Sequence, residues 1–166
     1  MLCNLGIQQA IDDERLGIKP EPLPRRPEPG RECPYDTHSV DLRLGNEILL
    51  IIPGVFSWDL TQPGKLADFA AKNCTRVVIT EHQPFRLSKN QFILGSTLEE
   101  VHFPILSHLK TCLAGRIEGK SSRARCGLLV HFTAPTVHPG FKGTITLEMI
   151  NLGEVPITLT PGMTIA

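Results

Sequence analysis

The chain has 166 residues, enough for one domain with a core of its own, and its 41 % hydrophobic and 20 % charged content excludes a disordered or fibrous protein. Lys plus Arg and Asp plus Glu both number 17, so the formal net charge is zero; a strongly basic nucleic-acid binder is not expected, and any anion site must be local. No apolar run approaches the ~18 residues of a membrane-spanning helix, and the five cysteines (Cys3, Cys33, Cys74, Cys112, Cys126) are odd in number and too widely spaced for a disulfide framework or a zinc knuckle.

The N-terminal segment MLCNLGIQQAIDDERLG carries acids early and lacks the apolar stretch of a signal peptide, so a cytoplasmic protein is expected. Asn4 can cap a short helix with Ile7, Ala10 and Ile11 on one face and Gly17 as its stop. From Lys19 to Pro34 six prolines stand among charges, which excludes helix and central strand. That stretch reads as a surface loop within a single domain spanning 1–166, because one preceding helix cannot bury a core. Ser39–Leu44 alternates apolar and polar residues as a half-buried strand does, Glu47–Ile52 is a second strand, and Pro63 opens a short helix through Leu66, Phe69 and Ala70. Strand-like runs follow at 77–80, 84–87, 91–97, 109–117, 128–133, 143–151 and 155–160, punctuated by Gly, Pro and Asn. Many short strands at this spacing predict a mainly β fold, a barrel or jelly roll with minor helices.

The segment Glu118–Leu128 (EGKSSRARCGL) gathers glycine, two hydroxyls and three cations into one turn between apolar runs. Gly119-Lys120-Ser121 invites comparison with a P-loop, but that loop needs G-x-x-x-x-G-K-[ST], and Gly115 leaves the spacing one residue short. What remains is a turn whose backbone N–H groups and hydroxyls can meet phosphate oxygens, with one helical turn over Ser122–Gly127; the alternative is a solvated basic loop. In Thr144–Met149, Ile145, Leu147 and Met149 share one face, and Thr144, Thr146 and Glu148 share the other. Glu148 is either solvent-exposed or, if its face lines a pocket, the natural proton carrier. Thr136–Gly143 is a hairpin with Pro139-Gly140 at its centre and His138 at its start, as ligand contact or polar turn residue. The zinc-deaminase pattern H-x-E…P-C-x-x-C and the hydrolase pattern G-x-S-x-G are both missing from the sequence, and His102 and His108 have no acidic or cysteine partner at metal-ligand spacing.

The stretches EGKSSRARCGLLVHFTA, HPGFKGTITLEMINLGEVPITLTPGM and SVDLRLGNE closely resemble the bacterial dCTP deaminases of the deaminase/dUTPase superfamily, and QFILGSTLEEVHFP is similar to that family's central strands. The resemblance covers most of the chain and is weak in the proline loop and residues 53–80. It implies a distorted, dUTPase-like β-barrel or jelly roll assembled as a homotrimer with active sites at subunit interfaces. It implies hydrolysis of dCTP to dUTP and ammonia without zinc, with Mg²⁺ riding on the triphosphate. Some relatives also carry dUTP on to dUMP, and dTTP is a candidate inhibitor.

By position in that resemblance, Lys120, Ser121 and Ser122 correspond to phosphate and water contacts, and Arg125 to the active-site arginine. Ala134 stands where a backbone group reads the cytosine edge, Val137 and His138 fall among the nucleotide contacts, and Glu148 matches the proton-shuttling glutamate. Glu148, Arg125 and Ser121 carry the catalytic assignment. His138 departs from the Asp that usually precedes the hairpin Pro-Gly, and Arg123 replaces a commonly apolar residue. Relatives continue past the position of Ala166 with a further strand and a tail that folds over the nucleotide. Two other functions stay open: a catalytically weak nucleotide-binding or regulatory relative, and a dUTP diphosphatase.

Overall fold

The computed structural model describes residues 1–54, 61, 66–108 and 110–166; Pro63 and the first residue of the expected strand 109–117 lie outside them. In chain order the elements are α1 (Asn4–Asp12), β1 (Gly17–Lys19), β2 (Glu47–Ile51), α2 (Leu66–Asn73), β3 (Cys74–Val78), β4 (Phe85–Leu87), β5 (Phe92–His102), β6 (Gly115–Arg116), α3 (Ser121–Ala124), β7 (Leu128–Val130), β8 (Thr136–Val137), β9 (Lys142–Asn151) and β10 (Ile157–Leu159). The fold is mainly β, as the spacing predicts. The long strands β5 and β9 pair antiparallel at the centre of a six-stranded sheet, ordered β3-β2-β5-β9-β7 with β1 on the far end of β5. Two small sheets, β10-β4 and β6-β8, complete the pairing.

Period-two patterning decides which face is core. Ile145, Leu147 and Met149 of β9 are buried, Thr144 and Thr146 are exposed, and Glu148 is intermediate. Ile48 and Ile93 join Leu147 and Met149 inside, with Leu44, Leu87, Leu159 and Ile165. Gly95 on β5 leaves the space that Met149 fills, since a Cβ there would come within 2.6 Å of Met149 Cε.

The β5–β9 register slips between Ser96 and Glu100. Thr97 Oγ1 repairs the ladder there, donating to Glu99 O (2.7 Å) and accepting from Ile145 N (2.9 Å). The irregularity accompanies a fully buried Glu99 side chain, which accepts from Arg43 N (2.8 Å) and Arg43 Nε (2.7 Å). A carboxylate so buried is tolerated because both oxygens are met.

Several expectations are revised. Cys3, not Asn4, is the N-cap of α1; the Asn4 amide is drawn instead to Tyr35 O (3.3 Å), a tertiary acceptor that sequence spacing does not reveal. The helix stops at Asp12, before Glu14 at φ 57°, and Gly17 already belongs to β1. Ser39–Leu44 keeps the expected alternation, with Leu42 and Leu44 buried, but it forms isolated bridges rather than the expected strand. It is shared between β5, where Leu98 N donates to Arg43 O (2.7 Å), and the C-terminal segment, where Leu42 N donates to Ala166 O (2.8 Å) and Leu44 N to Met163 O (2.9 Å). Of the expected strand 109–117, the described residues 110–117 form strand only at Gly115–Arg116. The expected hairpin exists as a turn, with Gly140 at φ 88° and Phe141 N donating to His138 O (3.2 Å). Its two arms do not pair with each other, because β8 bonds to β6 and β9 to β5 and β7.

The proline-rich stretch is a surface excursion held by charge. Arg25 grips Glu21 with Nε and with Nη2 (3.0 Å), reaches Asp12 with Nη1 (2.7 Å), and the buried Tyr35 hydroxyl donates to Glu21 (3.0 Å). No helix among the described residues is long and apolar enough to cross a membrane.

Candidate active site

The cationic turn forms because Lys120 takes an extended conformation (ψ 126°) and its carbonyl then accepts from Arg123 N (2.9 Å) and Ala124 N (3.0 Å). This starts α3 at Ser121, one residue earlier than the run Ser122–Gly127 that the sequence suggests. Gly127 closes the turn at φ 94° against the residues that follow β9: a Cβ there would sit 2.3 Å from Gly153 N, and Leu152 N donates to Gly127 O (2.8 Å). Glycine is the residue that both the left-handed backbone and the close approach permit.

Ser121, Ser122 and Arg125 are exposed, and their side chains bond to none of the described residues. Lys120 is different: its Nζ sits 2.7 and 2.6 Å from the two oxygens of Asp41, whose side chain is 12 % exposed. Arg123 donates through Nε to Thr164 O (3.2 Å), tying the turn to the C-terminal segment. Asp41, Lys120 and Ser121 also stand in the wall of a cavity of about 790 Å³, beside Ile18, Val101 and Phe103.

Glu148 occupies β9 opposite Leu94 of β5. Its side chain is 28 % exposed, and Oε2 lies 3.0 Å from His131 Nδ1. The His131 ring is 9 % exposed, and its Nε2 is 2.9 Å from Ala134 O. His131 N donates to Glu148 O (2.8 Å), so backbone and side chain both link the two residues. Oε2 and Nδ1 face each other out of solvent without the alignment of a hydrogen bond, and neither has another such partner among the described residues. His131 sits at φ 52°, a left-handed conformation uncommon outside glycine. This twist ends β7 at Val130 rather than at the expected 133.

The other expected contacts are placed as follows. Ala134 is exposed, and its carbonyl is brought to Glu148 through the His131 ring. The Val137 side chain is buried in the core, and its backbone pairs with Gly115 of β6. His138 is exposed at the start of the turn. Among the described residues no hydrogen bond or ion pair joins Glu148 to Lys120–Arg125. Gly119 lies against the core-facing Val130, with 3.2 Å between its would-be Cβ and Val130 Cβ, and Val130 pairs with the buried Met149. The turn therefore meets the edge strand β7 from the core-facing side, while Glu148 stands on the other face of β9.

Sequence reasoning overlooked Asp41 and His131. Asp41 hides in an ordinary alternating segment; His131 carries a faint signal, an ionisable residue inside the apolar run Leu128–Phe132. Among the described residues no group of three or more His, Cys, Asp or Glu is arranged to hold a metal ion.

The sequence model of dCTP deaminase-like proteins matches residues 2–166. The chain is 41 % identical to a dCTP deaminase of Rhodospirillum rubrum, over 99 % of this chain and 78 % of that protein. It is 36 % identical to a dUMP-forming dCTP deaminase of Dictyoglomus thermophilum, over 99 % of this chain and 76 % of that protein. The crystal structure of 2′-deoxycytidine 5′-triphosphate deaminase from Agrobacterium tumefaciens shares the fold, with a TM-score of 0.67 at 17 % identity over 99 % of this chain and 45 % of that one.

Proposed function

The chain belongs to the dCTP deaminase-like family, and from that premise we propose that it hydrolyses the 4-amino group of dCTP, releasing dUTP and ammonia. The observation that carries this reading is the partly buried Glu148 carboxylate, poised beside His131 and the Ala134 carbonyl on one face of the sheet. Attack of water on C4 requires a group that takes the water proton and returns protons to the ring and to the leaving amine; one carboxylate does this in sequence. The uncommitted Ser121, Ser122 and Arg125 are available to a triphosphate, with Arg125 able to grip oxygens in bidentate fashion. A phosphate oxygen entering the turn competes with Asp41 for Lys120. Mg²⁺ arrives with the triphosphate as part of the substrate, and no zinc-activated water is invoked.

Since turn and carboxylate lie on opposite sides of the sheet in one protomer, the complete site forms where the turn of one copy meets Glu148 of another. A homotrimer is the assembly proposed, with dTTP a competing ligand for the same pocket. The name of the Dictyoglomus relative favours a second reading, in which the dUTP formed is carried on to dUMP. The test is to incubate the protein with dCTP and Mg²⁺ and separate the products. Ammonia with dUTP supports deamination alone, ammonia with dUMP supports the second reading, and unchanged dCTP defeats both.

A further inference from the structure

The imidazole of His131 touches the two groups expected to face the pyrimidine, the Ala134 carbonyl and the Glu148 carboxylate, yet nothing assigns it a role. Its chemistry is constrained by its neighbours. A carbonyl oxygen only accepts, so the Nε2 that lies 2.9 Å from Ala134 O carries a hydrogen. In a neutral ring the remaining nitrogen, Nδ1, then offers a lone pair to Glu148 Oε2 at 3.0 Å. An ionised carboxylate also offers only lone pairs. Two acceptors facing each other out of solvent, with no other hydrogen-bond partner among the described residues, repel and stay unsatisfied. A single proton on either atom replaces the repulsion with an attraction, and a small turn of the ring or of the carboxylate then aligns the pair as a hydrogen bond. The His131 backbone also sits at φ 52°, a left-handed conformation that costs energy outside glycine, with the ring 9 % exposed.

We propose that His131 and Glu148 hold one proton between them, and that His131 is a positioning residue that loads the carboxylate for proton transfer to the pyrimidine. This deepens the deaminase reading and rests on it for the chemistry. The proton ledger closes. The pair starts with one proton and gives it to N3 of the cytosine, forming N3–H. It takes a proton from water as the water oxygen bonds to C4, and passes that proton to the 4-amino nitrogen. The C4–N bond breaks and ammonia leaves; the hydroxyl proton of C4–OH returns to the pair as C4=O forms. The uracil keeps N3–H, and the pair ends as it began.

The test uses nuclear magnetic resonance on the ligand-free protein at pH 7, with the His131 ring nitrogens and the Glu148 carboxyl carbon assigned through His131→Asn and Glu148→Gln. The expected result is a hydrogen on Nε2, together with either a protonated Nδ1 or a carboxylic-acid signal from Glu148. A bare Nδ1 beside a fully ionised Glu148, or a bare Nε2, overturns the proposal. This readout needs no turnover, so an inactive wild-type protein would sink the deaminase reading without touching the shared proton. In an active protein, His131→Asn keeps a residue that tolerates the left-handed backbone but supplies no transferable proton. It is expected to lower kcat about 10- to 100-fold with KM within about twofold. An unchanged kcat overturns the role assigned to His131.

Discussion

Two glutamates on neighbouring strands of one sheet are treated in opposite ways. Glu99, at the irregular turn of β5, is fully buried, and both oxygens accept from Arg43. Glu148, on β9, keeps an oxygen out of solvent that, among the described residues, faces only another ionisable group. A carboxylate whose oxygens are both met by fixed donors holds the fold and does nothing else, because taking up a proton would break those bonds. One left short of fixed donors keeps a lone pair open to a proton. The same contrast separates the cations: Lys120 is matched to Asp41, whereas Arg125, five residues later, has no partner among the described residues.

The sharpest way to break this contrast is to neutralise both carboxylates and compare the losses. Glu148→Gln is expected to lower ammonia release from dCTP by about 10²–10⁴ while leaving the urea midpoint nearly unmoved; retained turnover would remove Glu148 from the chemistry. Glu99→Ala should do the reverse. It strips Arg43 of its partner inside the sheet and is expected to cost about 3 kcal/mol of stability, less whatever water recovers at the partly exposed guanidinium; urea denaturation measures it. Arg125→Ala is expected to raise KM for dCTP about tenfold with little change in melting temperature, and equal KM values would place the triphosphate elsewhere.

The smallest effects belong to the N-terminal layer, where charges are matched. Tyr35→Phe removes one hydrogen bond to Glu21 and should cost about 1 kcal/mol by denaturant titration. The Arg25 hydrogen bonds, outweighing the opposing effect of burial and aided by Tyr35, hold the Glu21 carboxyl below its ordinary value. The unfolded chain therefore binds the proton first as pH falls. The stabilisation is present above about pH 4.3, the ordinary glutamate value, and is lost as pH drops through the lower folded value. The melting temperatures of wild type and Glu21→Gln should accordingly converge below that pH. Burial, followed by the Glu21 contact, pushes the Tyr35 phenol upward, so its stabilisation is present below about pH 10 and fades in stronger alkali.

Much of this protein was legible one segment at a time. The alternation Ile145, Leu147, Met149 against Thr144, Thr146, Glu148 announces which side of β9 is core, and the buried and exposed sets follow it. The Pro139-Gly140 turn and the short helix after Lys120 follow from backbone preferences that neighbours impose. Pairing was less legible. Nothing in Ser39–Leu44 says that it is shared between β5 and the C-terminal segment, and nothing in the turn at Pro139 says that its arms belong to different sheets.

Local patterns set the strand faces, the turns, the charged segment and the candidate carboxylate, because period and turn chemistry act over a few residues. Only the folded chain brought Asp41 to Lys120 across 79 positions, turned Glu99 inward onto Arg43, and set His131 between Ala134 and Glu148. Those contacts depend on strand register and on one left-handed residue. Both are decided by how the sheets pack, since burial leaves each polar atom only the partners that tertiary structure delivers.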